Sequence, residues 1–138
     1  MIAYVDSSVL LRKLFREPVP FAKWSSIEQA YVSRLLVVEV SRVIDRCRLM
    51  GQLDDESVAQ LHEERIGLIQ SIDFVDLSDM LLERAALPMP TVIGTLDALH
   101  LVTALEVRRQ LAPKLVFLTH DEQLALAARA SGLSVGGI

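Results

Sequence analysis

Asp6, Glu39, Asp97 and Asp121 are the acids whose places in the chain suit chemistry better than solvation. Asp6 directly follows the apolar run Ile2-Ala-Tyr-Val5, and Asp121 lies two residues past the run from Lys114 to Thr119. Both runs read as buried strands. If they are parallel, the two carboxylates reach one sheet edge, beyond the strand ends where open α/β sheets bind ligands. Capping accounts for their neighbours: Ser7 or Ser8 suits the start of one helix, and Thr119-His-Asp-Glu122 has the spacing of a capping box for another. Asp6 itself is left over, because serines stand beside it. Glu39 and Asp97 fall inside helical patterns. At about 100° per residue, Leu36, Val40, Val43 and Cys47 share a face with Glu39 on its flank, and Asp97 shares a stripe with Leu101, Ala104 and Leu105. Acids are almost never buried without partners. Arg42 and Arg46, at i+3 and i+7 from Glu39, offer local ion pairing. Thr95 offers a cap that leaves Asp97 in a first turn favoured by the helix dipole. The competing reading is a cleft of gathered carboxylates, which cannot all stay ionised cheaply without a cation.

Other reactive residues carry less. His62 and His120 stand alone in polar settings, and His100 has no second histidine at i+4 to make a zinc pair, so no ligand role is expected of any. Cys47 reads as a small buried hydrophobe, and Phe15, Phe21 and Trp24 read as helix packing rather than a base-stacking platform. No G-x-G-x-x-G, Walker lysine or G-x-S-x-G motif occurs, so dinucleotide, P-loop and hydrolase-elbow chemistry lack support. Asp6 has no second Asp two residues on, as an aspartyl-phosphate phosphatase would. The acid pair and late lysine of a phosphoacceptor receiver are missing too.

The elements that must position the acids follow from the pattern. Leu, Ile and Val make up one third of the 138 residues, and aromatics only 5%, which promises a filled core of helices and buried strands. The periodicity predicts strands at 2–5, 30–33, 72–77, 114–119 and, at an edge, 133–135. It predicts helices over 9–15, 21–29, 35–50, 54–70, 78–87, 95–110 and 121–130, with a loop from Pro88 to Gly94. Strands alternating with helices imply an α/β fold with a central, mainly parallel sheet covered on both faces, in one domain. The longest stretch without a charged residue, Ala85 to Leu96, holds two prolines and a glycine, so no membrane span is expected. No basic region precedes the first apolar run, so no secretory signal is expected and the protein reads as cytoplasmic. The net charge of −4 argues against gripping nucleic acid by overall charge, unless some acids hold metal ions that reverse the local field.

Four segments together resemble a known family: Ile2-Ala-Tyr-Val-Asp-Ser-Ser-Val-Leu10, Val37-Val-Glu-Val-Ser-Arg-Val43, Leu96-Asp-Ala-Leu-His-Leu-Val-Thr-Ala-Leu105 and Leu118-Thr-His-Asp-Glu-Gln-Leu-Ala-Leu-Ala-Ala128, followed by Ser131-Gly-Leu133. The chain resembles the PIN domain ribonucleases, most closely the VapC toxins of toxin-antitoxin systems. The resemblance implies a PIN-like three-layer α/β/α sandwich spanning 1–138. It places the family's acidic site on Asp6, Glu39, Asp97 and Asp121, as catalytic groups and metal ligands, with Ser8 and Thr119 as supporting hydroxyls. Oxygen-only ligands suit Mg²⁺, with Mn²⁺ able to substitute. The implied reaction is metal-assisted RNA hydrolysis, with Arg12, Arg42 and Arg46 as phosphate-binding candidates, a VapB-type antitoxin as partner and a homodimer as the assembly. Two other classes stay open: an inactive PIN-like binding module, and a receiver-like domain with Asp6 as phosphoacceptor. The C-terminus, Val135-Gly-Gly-Ile138, lacks a proline that many relatives carry, which puts the edge strand in doubt.

Overall fold

Alternation along the first strand sets the layering. In β1 (Ile2–Val5) Ala3 and Val5 point to one face of the sheet and Tyr4 to the other, all fully buried. The same split recurs in β2 (Gln29–Ser33) and β4 (Val116–Leu118), so two separate cores form on the two faces. The computed structural model describes residues 1–17 and 24–137. With β3 (Asp73–Val75) and β5 (Ser134–Gly136), the strands form one parallel sheet in the order β3-β2-β1-β4-β5.

Helices α1 (Ser7–Leu14), α2 (Leu35–Leu49) and α3 (Asp55–Ile69) bury Leu10, Leu36, Val40, Ile44 and Leu61 against the face of Ala3 and Val5. Helices α5 (Thr95–Gln110) and α6 (Glu122–Ala130) bury Leu101, Ala104, Leu124 and Ala128 against the face of Tyr4 and Phe117. Helix α4 (Asp79–Ala85) packs on α5. The arrangement is the expected three-layer sandwich, and no described helix is long and apolar enough to cross a membrane.

Several details differ from the sequence expectation. The predicted helix at 21–29 falls partly outside the described residues, and its described end is a single 3-10 turn at Trp24–Ser26. Gln29 already pairs with Ile2, because parallel register on β1 claims that residue for the sheet. The buried row of α2 is Leu36, Val40 and Ile44, an i, i+4 line, and leaves Val43 and Cys47 half-buried. The edge strand forms despite the missing proline, one residue later than predicted.

Candidate active site

Strands β1 and β4 are neighbours, yet α1 leaves β1 toward one face and α6 leaves β4 toward the other. The chain diverges here, and a crevice opens beyond the two strand ends. Asp6 sits at its base, 3% exposed, with its amide donating to Leu118 O at 2.9 Å. It is itself the N-cap of α1, where a serine was expected: its Oδ2 accepts from Ser8 N at 3.3 Å. The same oxygen accepts the Ser8 hydroxyl at 2.6 Å and the Thr119 hydroxyl at 3.0 Å.

Those two hydroxyls also tie down the turn after β4. Ser8 Oγ accepts from His120 N, and Thr119 Oγ1 accepts from Asp121 N, each at 3.0 Å. Asp121, not Thr119, is the N-cap of α6, its Oδ1 accepting from Leu124 N at 2.8 Å. Thr95 likewise gives way to Gly94 as the N-cap of α5, because Asp97 reaches back to accept from Gly94 N at 3.2 Å. Two aspartates thus cap helices and the third lies in the first turn of another. Each is fixed through one oxygen while the other accepts no hydrogen bond among the described residues. Burial, followed by the charges of Asp121 and Asp6, pushes the Asp97 carboxyl above its ordinary range against the pull of the Gly94 amide.

Glu39 reaches the same region from α2, on the other side of the sheet from α5. Its Oε1 accepts the Ser7 hydroxyl at 3.2 Å, and its Oε2 lies 2.7 Å from His100 Nε2. Local arginine pairing is not what holds it: Arg42 pairs with Asp45 at 3.0 Å. Arg12 pairs with Glu17 at 3.3 Å, close enough to His120 for its charge to be felt there, and Arg46 is exposed.

His100 is the site residue that sequence reasoning passed over. It is 1% exposed on α5, its Nδ1 is 2.8 Å from the Tyr4 hydroxyl, and its Nε2 is 3.8 Å from Asp6 Oδ1. Burial lowers its pKa, but the Glu39 hydrogen bond and the charges of Asp6, Glu39 and Asp97 outweigh this and leave it raised. The available signal was a histidine three residues after Asp97 in an otherwise apolar stretch.

Among the described residues no three His, Cys, Asp or Glu side chains close into a ready cation cage. The donor set still suits a hard divalent cation: among the described residues each aspartate keeps an oxygen that accepts no hydrogen bond, and the Asp121 and Asp6 charges add to the burial that raises Asp97. Such a cleft fits metal-assisted chemistry at an anionic substrate.

A family model described as PIN domain matches residues 3–130. The curated Ribonuclease VapC47 of Mycobacterium tuberculosis (strain CDC 1551 / Oshkosh) is 29% identical over 136 residues, covering 94% of this chain and 91% of that protein. The crystal structure of PAE2754 from Pyrobaculum aerophilum aligns with a TM-score of 0.63 at 17% identity, over 98% of this chain and 83% of that one. VapBC2 from Rickettsia felis, bound to a DNA fragment from its promoter, aligns with a TM-score of 0.63 at 14% identity, over 99% and 98%. FitAcB from Neisseria gonorrhoeae aligns with a TM-score of 0.63 at 19% identity, over 97% and 96%. At these identities the solved structures bear on the fold alone.

Proposed function

The chain belongs to the PIN domain family, and from that premise we propose that it is a metal-dependent ribonuclease toxin. It hydrolyses RNA phosphodiester bonds in the cytoplasm, halting translation and growth, and a cognate VapB-type antitoxin silences it. The observation that carries this reading is the crevice between β1 and β4, where Asp6, Asp97 and Asp121 each keep an oxygen that accepts no hydrogen bond among the described residues and Asp97 feels the other two charges. The likeness to Ribonuclease VapC47 supports the substrate class, and the fold shared with VapBC2 and FitAcB supports a protein partner; the homodimer rests on the family resemblance alone.

Asp6, Glu39, Asp97 and Asp121 would hold Mg²⁺, or Mn²⁺ in its place. When bound, the cation supplies an acidified water and positive charge for the charge developing on the phosphate. The protein's own part is placement. Ser8 and Thr119 donate to Asp6 and keep it aimed. The α1, α5 and α6 N-termini hold their aspartates by backbone amides, so little ordering remains when substrate arrives. Arg12, Arg42 and Arg46 would meet backbone phosphates with forked donors.

The test replaces each acid by its amide: Asp6→Asn, Glu39→Gln, Asp97→Asn and Asp121→Asn. An amide oxygen still accepts from Ser8, Thr119 or a helix amide, so the fold should persist while the charge is lost. Cleavage of cellular RNA in Mg²⁺ should fall by about 100-fold or more in each, and growth inhibition on expression should vanish. Two or more variants cleaving like the parent would defeat the site assignment. A stable acyl-phosphate on Asp6 would point to a phosphoacceptor instead.

A further inference from the structure

We propose that His100 is a positioning residue that sets where the Glu39 carboxylate points, with Tyr4 holding the imidazole in place behind it. The inference rests on the ribonuclease reading above and adds to it a residue outside the acidic set.

Glu39 differs from the three aspartates in how it is held. Each aspartate is short and tied to a backbone amide at the N-terminus of its helix. Glu39 lies in the body of α2, with three side-chain torsions and, among the described residues, no backbone amide to anchor it. Side chains from two other elements hold it instead, Ser7 of α1 and His100 of α5. An unpinned glutamate beside a cleft samples many rotamers, and all but one of them must be given up when a ligand is bound.

The imidazole can do this because it is itself fixed. A carboxylate accepts only, so the proton on that contact is carried by His100 Nε2. The Tyr4 hydroxyl then faces Nδ1 and sets the ring's orientation. Tyr4 is fully buried on β1, two residues before Asp6, stacked on Phe117 at 5.4 Å and met edge-on by the His100 ring at 6.0 Å. The chain Tyr4–His100–Glu39 therefore runs from the floor of the sheet to the carboxylate and joins α5 to α2 across the strand end. One donor on Oε2 leaves that oxygen a further lone pair, so the held carboxylate stays able to accept a cation. Partners of this kind, one step removed from a metal, commonly change its affinity by about 10- to 100-fold.

Two amides of different reach separate positioning from plain packing. In His100→Asn the amide extends about as far as Nδ1, so it keeps Tyr4 partnered and loses Glu39; in His100→Gln it reaches the place of Nε2 and keeps Glu39. Calorimetric titration of Mg²⁺ into His100→Asn should show a dissociation constant raised about 10- to 100-fold, with His100→Gln within a few-fold of the parent. Cleavage by His100→Asn should recover toward the parent kcat at saturating Mg²⁺, with KM for RNA unchanged. In a Glu39→Gln background the same change at His100 should cost no further affinity, since the residue acts through that carboxylate. Should His100→Asn fail to fold, His100→Leu, which keeps apolar bulk, replaces it. Unchanged Mg²⁺ affinity in the folded loss variant, equal losses in the Asn and Gln variants, or a further loss in the Glu39→Gln background would each overturn the proposal. A parent that binds no Mg²⁺ sinks the ribonuclease reading with it, whereas a parent that binds normally beside an indifferent His100→Asn sinks only this one.

Discussion

A carboxylate held near other carboxylates is a charge that folding makes costlier, and Asp97 is where this can be measured. Burial and the Asp121 and Asp6 charges raise it above its ordinary 3.8. A raised acid binds its proton more tightly folded than unfolded, so its contribution to stability is fullest below 3.8 and is lost as pH rises through the raised value. At neutral pH in EDTA, Asp97→Asn should therefore melt higher than the parent, by about 2 °C or more, with the gap closing toward pH 3. The gain on adding Mg²⁺ should shrink in the variant, because stabilisation by a ligand scales with affinity for the folded state. Melting curves with and without Mg²⁺ check both, and equal Mg²⁺ gains would remove Asp97 from the ligand set. The three aspartates were legible in the sequence because a strand end or a helix start is a local feature. Their second task was not, since capping was assigned to Ser8, Thr119 and Thr95. An acid at a first turn both caps the helix and faces the crevice, so the two readings coexist. His100 was illegible because its three partners come from β1, α2 and the end of β1, none near it in sequence.

At the level of elements, the helices and strands followed the apolar periodicity closely, and α5 falls on its predicted bounds. Ends moved where a side chain caps or a neighbouring strand dictates register, as at Ser78 ahead of α4 and Gln29 in β2. The edge strand β5 supports the site from outside: Thr119 N donates to Gly136 O, and Gly137 follows at φ +94. A Cβ at Gly137 would lie 2.9 Å from Thr119 O, whereas one at Gly136 meets side chains alone, the flexible end of Leu118 at 3.1 Å and Val116 Cγ1 at 3.7 Å. Gly137→Ala should cost roughly 1–3 kcal/mol and lower cleavage by displacing the Thr119 hydroxyl from Asp6, with Gly136→Ala milder in both. Chemical denaturation and a cleavage assay on the pair check the order. A second tie joins α4 to α5. Glu106, 8% exposed by side chain, takes Arg109 at 2.6 Å, Arg84 at 2.5 Å and also Gln110. The Arg109 hydrogen bond, opposed by desolvation and aided by Arg84, lowers its pKa from 4.5 to about 2. That stability is present above 4.5 and lost as pH falls through about 2, opposite in sign to Asp97. Glu106→Gln should destabilise the protein at pH 7 and lose this disadvantage toward pH 2. A deficit that persists undiminished at low pH would mean that packing, not charge, is what Glu106 supplies.

For the whole molecule, a chain of net charge −4 that on the proposed reading acts on a polyanion must approach it with little help from its overall field. Two of its three candidate phosphate contacts are already engaged, Arg12 with Glu17 at 3.3 Å and Arg42 with Asp45 at 3.0 Å. Each phosphate contact on single-stranded RNA releases counterions and steepens the salt dependence of log affinity by about 0.7, so three contacts allow a slope no steeper than about −2. The engaged pair should contribute less than a full contact each, since RNA must first displace a carboxylate. Arg46, exposed, should contribute nearly all of its own. The measurement is fluorescence anisotropy of labelled RNA with Asp121→Asn, silenced for cleavage on the proposed reading, at fixed Mg²⁺ across about 50–200 mM monovalent salt, the range where such slopes are read. The expected slope is shallower than −2. Adding Arg46→Ala should flatten it by about 0.7, and Arg42→Ala by distinctly less. A slope near −4 would mean that a basic surface other than these three arginines carries the RNA. An unchanged slope in Arg46→Ala would leave recognition to the cation in the crevice and to contacts with the bases.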